Sequence, residues 1–127
     1  MTLIIIKKRS EFIRSNKLAK KINTKNFIIQ KLESRSIDKV PHFGFTITKK
    51  IGSAIVRNKI KRRLKSIIRE LLKYKDKYFD LSFNYILICK KEIVRVSYDE
   101  LENELMDKFK SNRVSQSWND KCVWKIN

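Results

Sequence analysis

At 127 residues with 42% hydrophobic content, the chain is long enough to bury a core, which excludes a disordered basic tail. Its formal net charge of +18 sits wholly in residues 1–75, where 22 lysines and arginines face four acids (Glu11, Glu33, Asp38, Glu70), while residues 76–127 carry nine of each sign. Such a surface seeks an anionic partner, nucleic acid or acidic lipid, with binding that weakens steeply in salt.

Two glycines and one proline leave room for few loops, so the elements must be long, and a mixed helix and strand domain fits better than a turn-rich sandwich. Cys89 and Cys122 form no CxxC pair, and His42 completes no zinc site with them in a familiar spacing; free thiols in a reducing cytoplasm are expected. The Leu3-Ile-Ile-Ile6 run is too short for a signal peptide, and no other apolar run approaches the length of a membrane span. A cytoplasmic protein without membrane association is the expectation.

In chain order, residues 8–18 read as a short helix with Ser10 as N-cap and Phe12 and Ile13 among charged neighbours. Asn26 to Leu32 reads as a strand, followed by a charged loop over Glu33 to Lys39 before Pro41. Phe43-Gly-Phe-Thr-Ile-Thr48 alternates apolar and hydroxyl residues, as a half-buried strand does, and the two strands are expected to form an antiparallel pair.

From Ala54 the rhythm becomes helical. At about 100° per residue, Ile60, Leu64, Ile67, Ile68 and Leu71 share one narrow arc, while Asn58, Arg62, Lys65, Arg69 and Lys73 fall opposite, with Lys61 at the edge of that face. Arg57 projects on the apolar side, so it either precedes the regular helix or leans out from its first turn. Phe83 to Cys89 is a nearly continuous apolar strand suited to a sheet interior. Ser97 with Glu100 three residues on has the spacing of a capping box, opening a helix through Leu101, Leu105, Met106 and Phe109 whose exposed face is acidic. One domain over 1–110 and a polar, weakly ordered tail over 111–127, with Trp118 and Trp124, complete the expected organisation.

Residues 57–65 pack six cations into nine positions. A charge run is ordinarily a solvated face, but a ridge with only Glu70 nearby repels itself, and a phosphate partner supplies the missing counter-charge, with arginine giving bidentate contacts. Thr46, Thr48, Lys49 and Lys50 form a second polar set just before this helix; a solvent-facing strand edge is the plainer reading of it. Phe12, Phe27, Phe43 and Phe45 suit a core, although an aromatic on an open sheet face beside cations would stack unpaired bases. The sequence has no GxxxxGK[ST] loop and its single histidine builds no triad, so the protein itself is not expected to perform bond chemistry.

The run Ile51-Gly-Ser-Ala-Ile-Val-Arg-Asn-Lys-Ile-Lys-Arg-Arg-Leu-Lys65, preceded by Phe45-Thr-Ile-Thr-Lys-Lys50, resembles the signature of the protein component of bacterial ribonuclease P. The resemblance extends to Arg9-Ser-Glu-Phe12, Asn84 to Ile88 and Ser97 to Leu101. It implies an α/β (α+β) two-layer sandwich, ordered helix-strand-strand-helix-strand-helix, with a left-handed βαβ crossover. It also implies a holoenzyme in which a catalytic RNA, using Mg2+ held by the RNA, removes the 5′ leader from precursor tRNA; the protein binds no cofactor of its own and needs no obligate protein partner. Contacts to that RNA would fall to Arg57, Asn58, Lys59, Lys61, Arg62, Lys65 and Arg69. A cleft between the first helix and the sheet would take the leader, with Phe12, Asn16, Lys17, Phe27, Gln30, Thr48, Lys49 and Lys50 in or beside it. Lys59 stands where the family commonly has arginine, which keeps the charge and loses the planar fork. Asn16, and the region of Gln30, lack aromatics common in the family, so hydrogen bonds would replace some stacking. A ribosomal or other structural RNA-binding protein is the rival reading, but it does not account for the register of Ala54, Arg57, Asn58 and Arg62. A helix-turn-helix DNA reader is weaker, since a strand and not a short helix precedes the basic segment.

Overall fold

The computed structural model describes residues 3–35 and 40–112. The elements are β1 (Ile4–Ile5), α1 (Arg9–Leu18), β2 (Lys20–Asn23), β3 (Phe27–Glu33), β4 (His42–Thr46), α2 (Ala54–Leu72), α3 (Lys75–Tyr78), β5 (Phe83–Cys89), a 3-10 turn (Lys91–Arg95) and α4 (Tyr98–Ser111). The five strands form one sheet in the order β1-β4-β5-β3-β2.

β5 takes the centre because its apolar run can be covered on both faces; Asn84, Tyr85, Ile86, Leu87 and Cys89 are all buried. It runs antiparallel to β3, with Phe27 opposite Cys89, and parallel to β4, with Phe43 opposite Tyr85. Parallel neighbours need a crossover, and α2 is that connection. The expected direct pairing of the strands now seen as β3 and β4 is therefore corrected: β5 is inserted between them.

Strand alternation sorts side chains to two faces. Phe27 and Ile29 of β3, Phe43 of β4, and Tyr85, Leu87 and Cys89 of β5 meet Ile60, Leu64, Ile67, Ile68 and Leu71 of α2 and Leu101, Leu105 and Phe109 of α4 in the main core. Phe43, Phe79, Tyr85 and Phe109 interlock there, with ring centroids 4.9 to 5.7 Å apart. Lys31 also points into this layer, where its ammonium pairs with the Asp80 carboxylate, donates to the Asn112 carbonyl at 2.9 Å and stands 4.7 Å from the Phe83 ring centroid. That cluster ties the end of α4 to the sheet. α1 covers part of the opposite face.

α4 opens as the capping box foretells, the Ser97 hydroxyl accepting from the Glu100 amide at 3.2 Å. Its outward side carries the exposed acids Asp99, Glu100 and Asp107, and a Ser66–Tyr98 hydroxyl pair at 2.9 Å joins it to α2. α1 differs from expectation: it begins at Arg9 behind Lys8, with no side-chain cap, so Ser10 lies inside the first turn. The Leu3–Ile6 run contributes β1, parallel to β4, and Lys20–Asn23 adds the edge strand β2; neither strand is anticipated by the sequence pattern. Cys89 is buried and free, its thiol pushed up to about 12 by burial. Residues 36–39 of the expected loop and the tail from 113, with Trp118, Cys122 and Trp124, lie outside the described residues.

Candidate nucleic-acid interface

α2 starts where Ser53 caps it, the hydroxyl accepting from the Val56 amide at 3.3 Å. Its inward stripe is fully committed to the core, with Leu64, Ile67 and Ile68 at 0% exposure. That commitment fixes the rotation of the helix and turns Asn58, Lys61, Arg62 and Arg69 outward as exposed residues, with Lys65 half-buried between them. Among the described residues no carboxylate oxygen lies within 4.0 Å of the side-chain nitrogens of Lys61, Arg62, Lys65 or Arg69; Lys73, farther along, pairs with Glu70 at 3.1 Å. Burial, and then the charges of Lys61, Arg69 and Lys7, hold the Lys65 ammonium below its ordinary pKa. Within the described residues the ridge is an uncompensated cationic surface.

The flanks of α2 differ from the ridge. Arg57 is half-buried and its Nε donates to the Gly52 carbonyl at 3.2 Å, which holds the guanidinium at the helix start, off the ridge. Lys59 is exposed on the other flank, and Arg63 turns toward α4, donating to the Val96 carbonyl at 3.5 Å. Asn58, Lys61, Arg62 and Lys65 line a shallow groove together with Ile55, a residue that sequence analysis passes over. The same wheel would have found it, since counting about 100° per residue puts Ile55 within about 20° of Arg62.

The second candidate surface lies on the opposite face of the sheet. The Phe12 ring of α1 rests over Gly44 so closely that a Cβ there would stand 2.9 Å from its Cζ and 3.2 Å from Ile86. Gly44 thus lets α1 approach the sheet, a role that only sheet register could reveal. Next to it the Ser15 hydroxyl donates to Gln30 Oε1 at 2.7 Å and Gln30 Nε2 donates to Asn16 Oδ1 at 2.9 Å. Gln30 is buried at 2% exposure, so it supports the exposed Asn16 and offers little surface itself. Lys17 is exposed on the next position of α1, and Thr48, Lys49 and Lys50 are exposed on the turn between β4, which carries Gly44, and α2, which carries the ridge.

Phe27 does not join this cleft. It has no exposed surface and packs in the main core on the far side of the sheet, because residues 27 and 30 of one strand point to opposite faces. The sequence pattern puts Phe27 in a strand without saying which face α1 would cover.

The family model for ribonuclease P matches residues 3–112. The chain belongs to the ribonuclease P protein family. A ribonuclease P protein component from Bacillus mycoides (strain KBAB4) is 36% identical over 113 residues, spanning 87% of this chain and 92% of that protein. The fold is similar to that of the Staphylococcus aureus RNase P protein (TM-score 0.70, 24% identity, 84% of this chain and 94% of that one). It is also similar to that of the Thermotoga maritima RNase P protein (TM-score 0.72, 20% identity, 85% and 96%). As a ribonuclease P protein the chain is the RNA-binding subunit of the holoenzyme that matures tRNA 5′ ends, and the rival reading as a ribosomal or structural RNA-binding protein is not favoured.

Proposed function

We propose that this subunit uses its two faces for two RNAs: α2 docks on the catalytic RNA, and the cleft between α1 and the sheet receives the single-stranded 5′ leader of precursor tRNA. The observation that carries the first half is the ridge of Lys61, Arg62, Lys65 and Arg69, none of which is paired with a carboxylate among the described residues. Phosphates supply the charge that the fold withholds, Arg62 and Arg69 by bidentate contacts and the lysines as point charges. Asn58, Lys59 and Lys61 extend that footprint, and Arg57 meets the RNA at the helix entrance. On the other face Phe12 presents a ring held by the sheet, Asn16 an amide oriented by Gln30, and Lys17, Thr48, Lys49 and Lys50 contacts for the leader backbone.

Hydrolysis belongs to the RNA and its magnesium ions; the protein neutralises phosphates and holds the leader. The complex works in the cytoplasm, and no helix among the described residues is long and apolar enough to cross a membrane.

Reconstitution with the partner RNA tests the reading. At low magnesium the protein stimulates cleavage of precursor tRNA at the mature 5′ end and cleaves nothing alone. Arg62→Ala weakens assembly with the RNA, whereas Phe12→Ala mainly weakens discrimination between leader-bearing and mature tRNA. Absence of stimulation would sink the proposal, and loss of folding in both variants would sink the surface assignments.

A further inference from the structure

We infer that Ile55 is a binding residue of the α2 face and contacts a nucleoside of the catalytic RNA, the apolar surface of a base or ribose, where its neighbours contact phosphates. The inference rests on the reading of α2 as the RNA-subunit face and deepens it.

Ile55 is 80% exposed, more than Leu18 at 68%, Tyr74 at 64%, Ile13 at 46% or Val94 at 43%, the other large apolar residues that are mainly exposed among the described residues. A single exposed isoleucine is ordinary on a protein surface. This one is distinguished by its place. It lies in the first turn of α2, one turn before Asn58 and two before Arg62, and shares their groove with Lys61 and Lys65. The core does not require it, because α2 buries the opposite stripe. Helix formation does not require it either, since lysine and arginine, used freely on this face, are better helix formers than a β-branched residue.

A sec-butyl group gains nothing from a phosphate. It gains from covering apolar surface, and in a groove rimmed by Asn58, Lys61, Arg62 and Lys65 the partner delivered by charge is a polyanion. RNA offers apolar surface on its base faces and ribose edges. Asn58, with a donor and an acceptor on one amide, stands beside Ile55 to read the edge of the same nucleoside. The cations then supply attraction, and Ile55 with Asn58 supplies a site that fits one place on the RNA better than others.

The full-length protein and its RNA subunit are titrated over a salt series with wild type, Ile55→Ser, Ile55→Lys and Arg62→Ala. Both Ile55 variants are expected to melt like wild type, as suits an exposed position. Ile55→Ser binds roughly tenfold more weakly, by a similar factor at every salt concentration, because the lost contact releases no counterions. Arg62→Ala instead reduces the salt slope by about one phosphate's worth. Ile55→Lys also binds more weakly than wild type despite its added charge.

Wild-type affinity in Ile55→Ser, or tighter binding by Ile55→Lys, overturns the inference and leaves the basic face intact. Wild-type affinity in Arg62→Ala as well would bring down the face assignment and this inference with it. If Ile55→Ser leaves RNA binding unchanged and instead converts RNA-free dimers to monomers in light scattering, the patch is a contact between copies and the nucleoside assignment is wrong.

Discussion

Lys65 concentrates the conflict between stability and binding in one side chain. Half-buried, and close enough to Lys61, Arg69 and Lys7 to feel their charge, it is harder to protonate in the folded chain than in the unfolded one. A lysine whose folded pKa is lowered opposes folding at neutral pH, and that opposition is relieved as pH rises through the lowered value toward the ordinary 10.5 of a free lysine. Phosphate oxygens reverse the sign by favouring the ammonium. Lys65→Gln is therefore expected to raise the melting temperature of the free protein in a low-salt buffer without multivalent anions, while weakening its affinity for the catalytic RNA. A lower melting temperature with unchanged RNA affinity would show that Lys65 serves packing and not the ridge.

At the scale of elements, the buried pair of Lys31 and Asp80 fastens β3, the segment before β5 and the end of α4 to one another. Removing one member of a buried pair leaves a charge in a poor dielectric, so Asp80→Ala is expected to cost about 3–5 kcal/mol in urea unfolding. A loss under 1 kcal/mol would mean that water or another group takes over the carboxylate's role. Elements whose local pattern agrees with their packing are legible in the sequence. The α2 stripe, the β5 run and the capping box at Ser97 each contain their own signal. β1 and β2 do not: one is two residues long and the other exposes Lys20, Lys21 and Asn23, so both become strands only by pairing with an edge. Strand order was hidden for the same reason, since β5 enters between β3 and β4 from the far side of a helix. In the candidate interface the two sides of α2 could be read from period alone. The cleft could not, because Phe27, Gln30 and Gly44 acquire their roles from which sheet face α1 covers.

For the whole molecule, docking should behave as counterion release. With about six phosphates neutralised, the logarithm of affinity falls against the logarithm of salt with a slope of roughly −4 to −5. Most of that dependence should appear in the association rate, which stopped-flow mixing measures directly, and an association rate indifferent to salt would argue against steering by the ridge. The neighbourhood of α2 and α4 bears on how that encounter proceeds. Two helices of one layer, joined by the Ser66–Tyr98 contact, carry exposed charge of opposite sign, with Arg62 and Arg69 on one and Asp99, Glu100 and Asp107 on the other. In the field of a polyanion such a layer experiences a torque as well as a pull. With α2 as the docking face, the molecule is expected to turn α2 forward and α4 away before the surfaces touch, so that fewer collisions are spent on the wrong side.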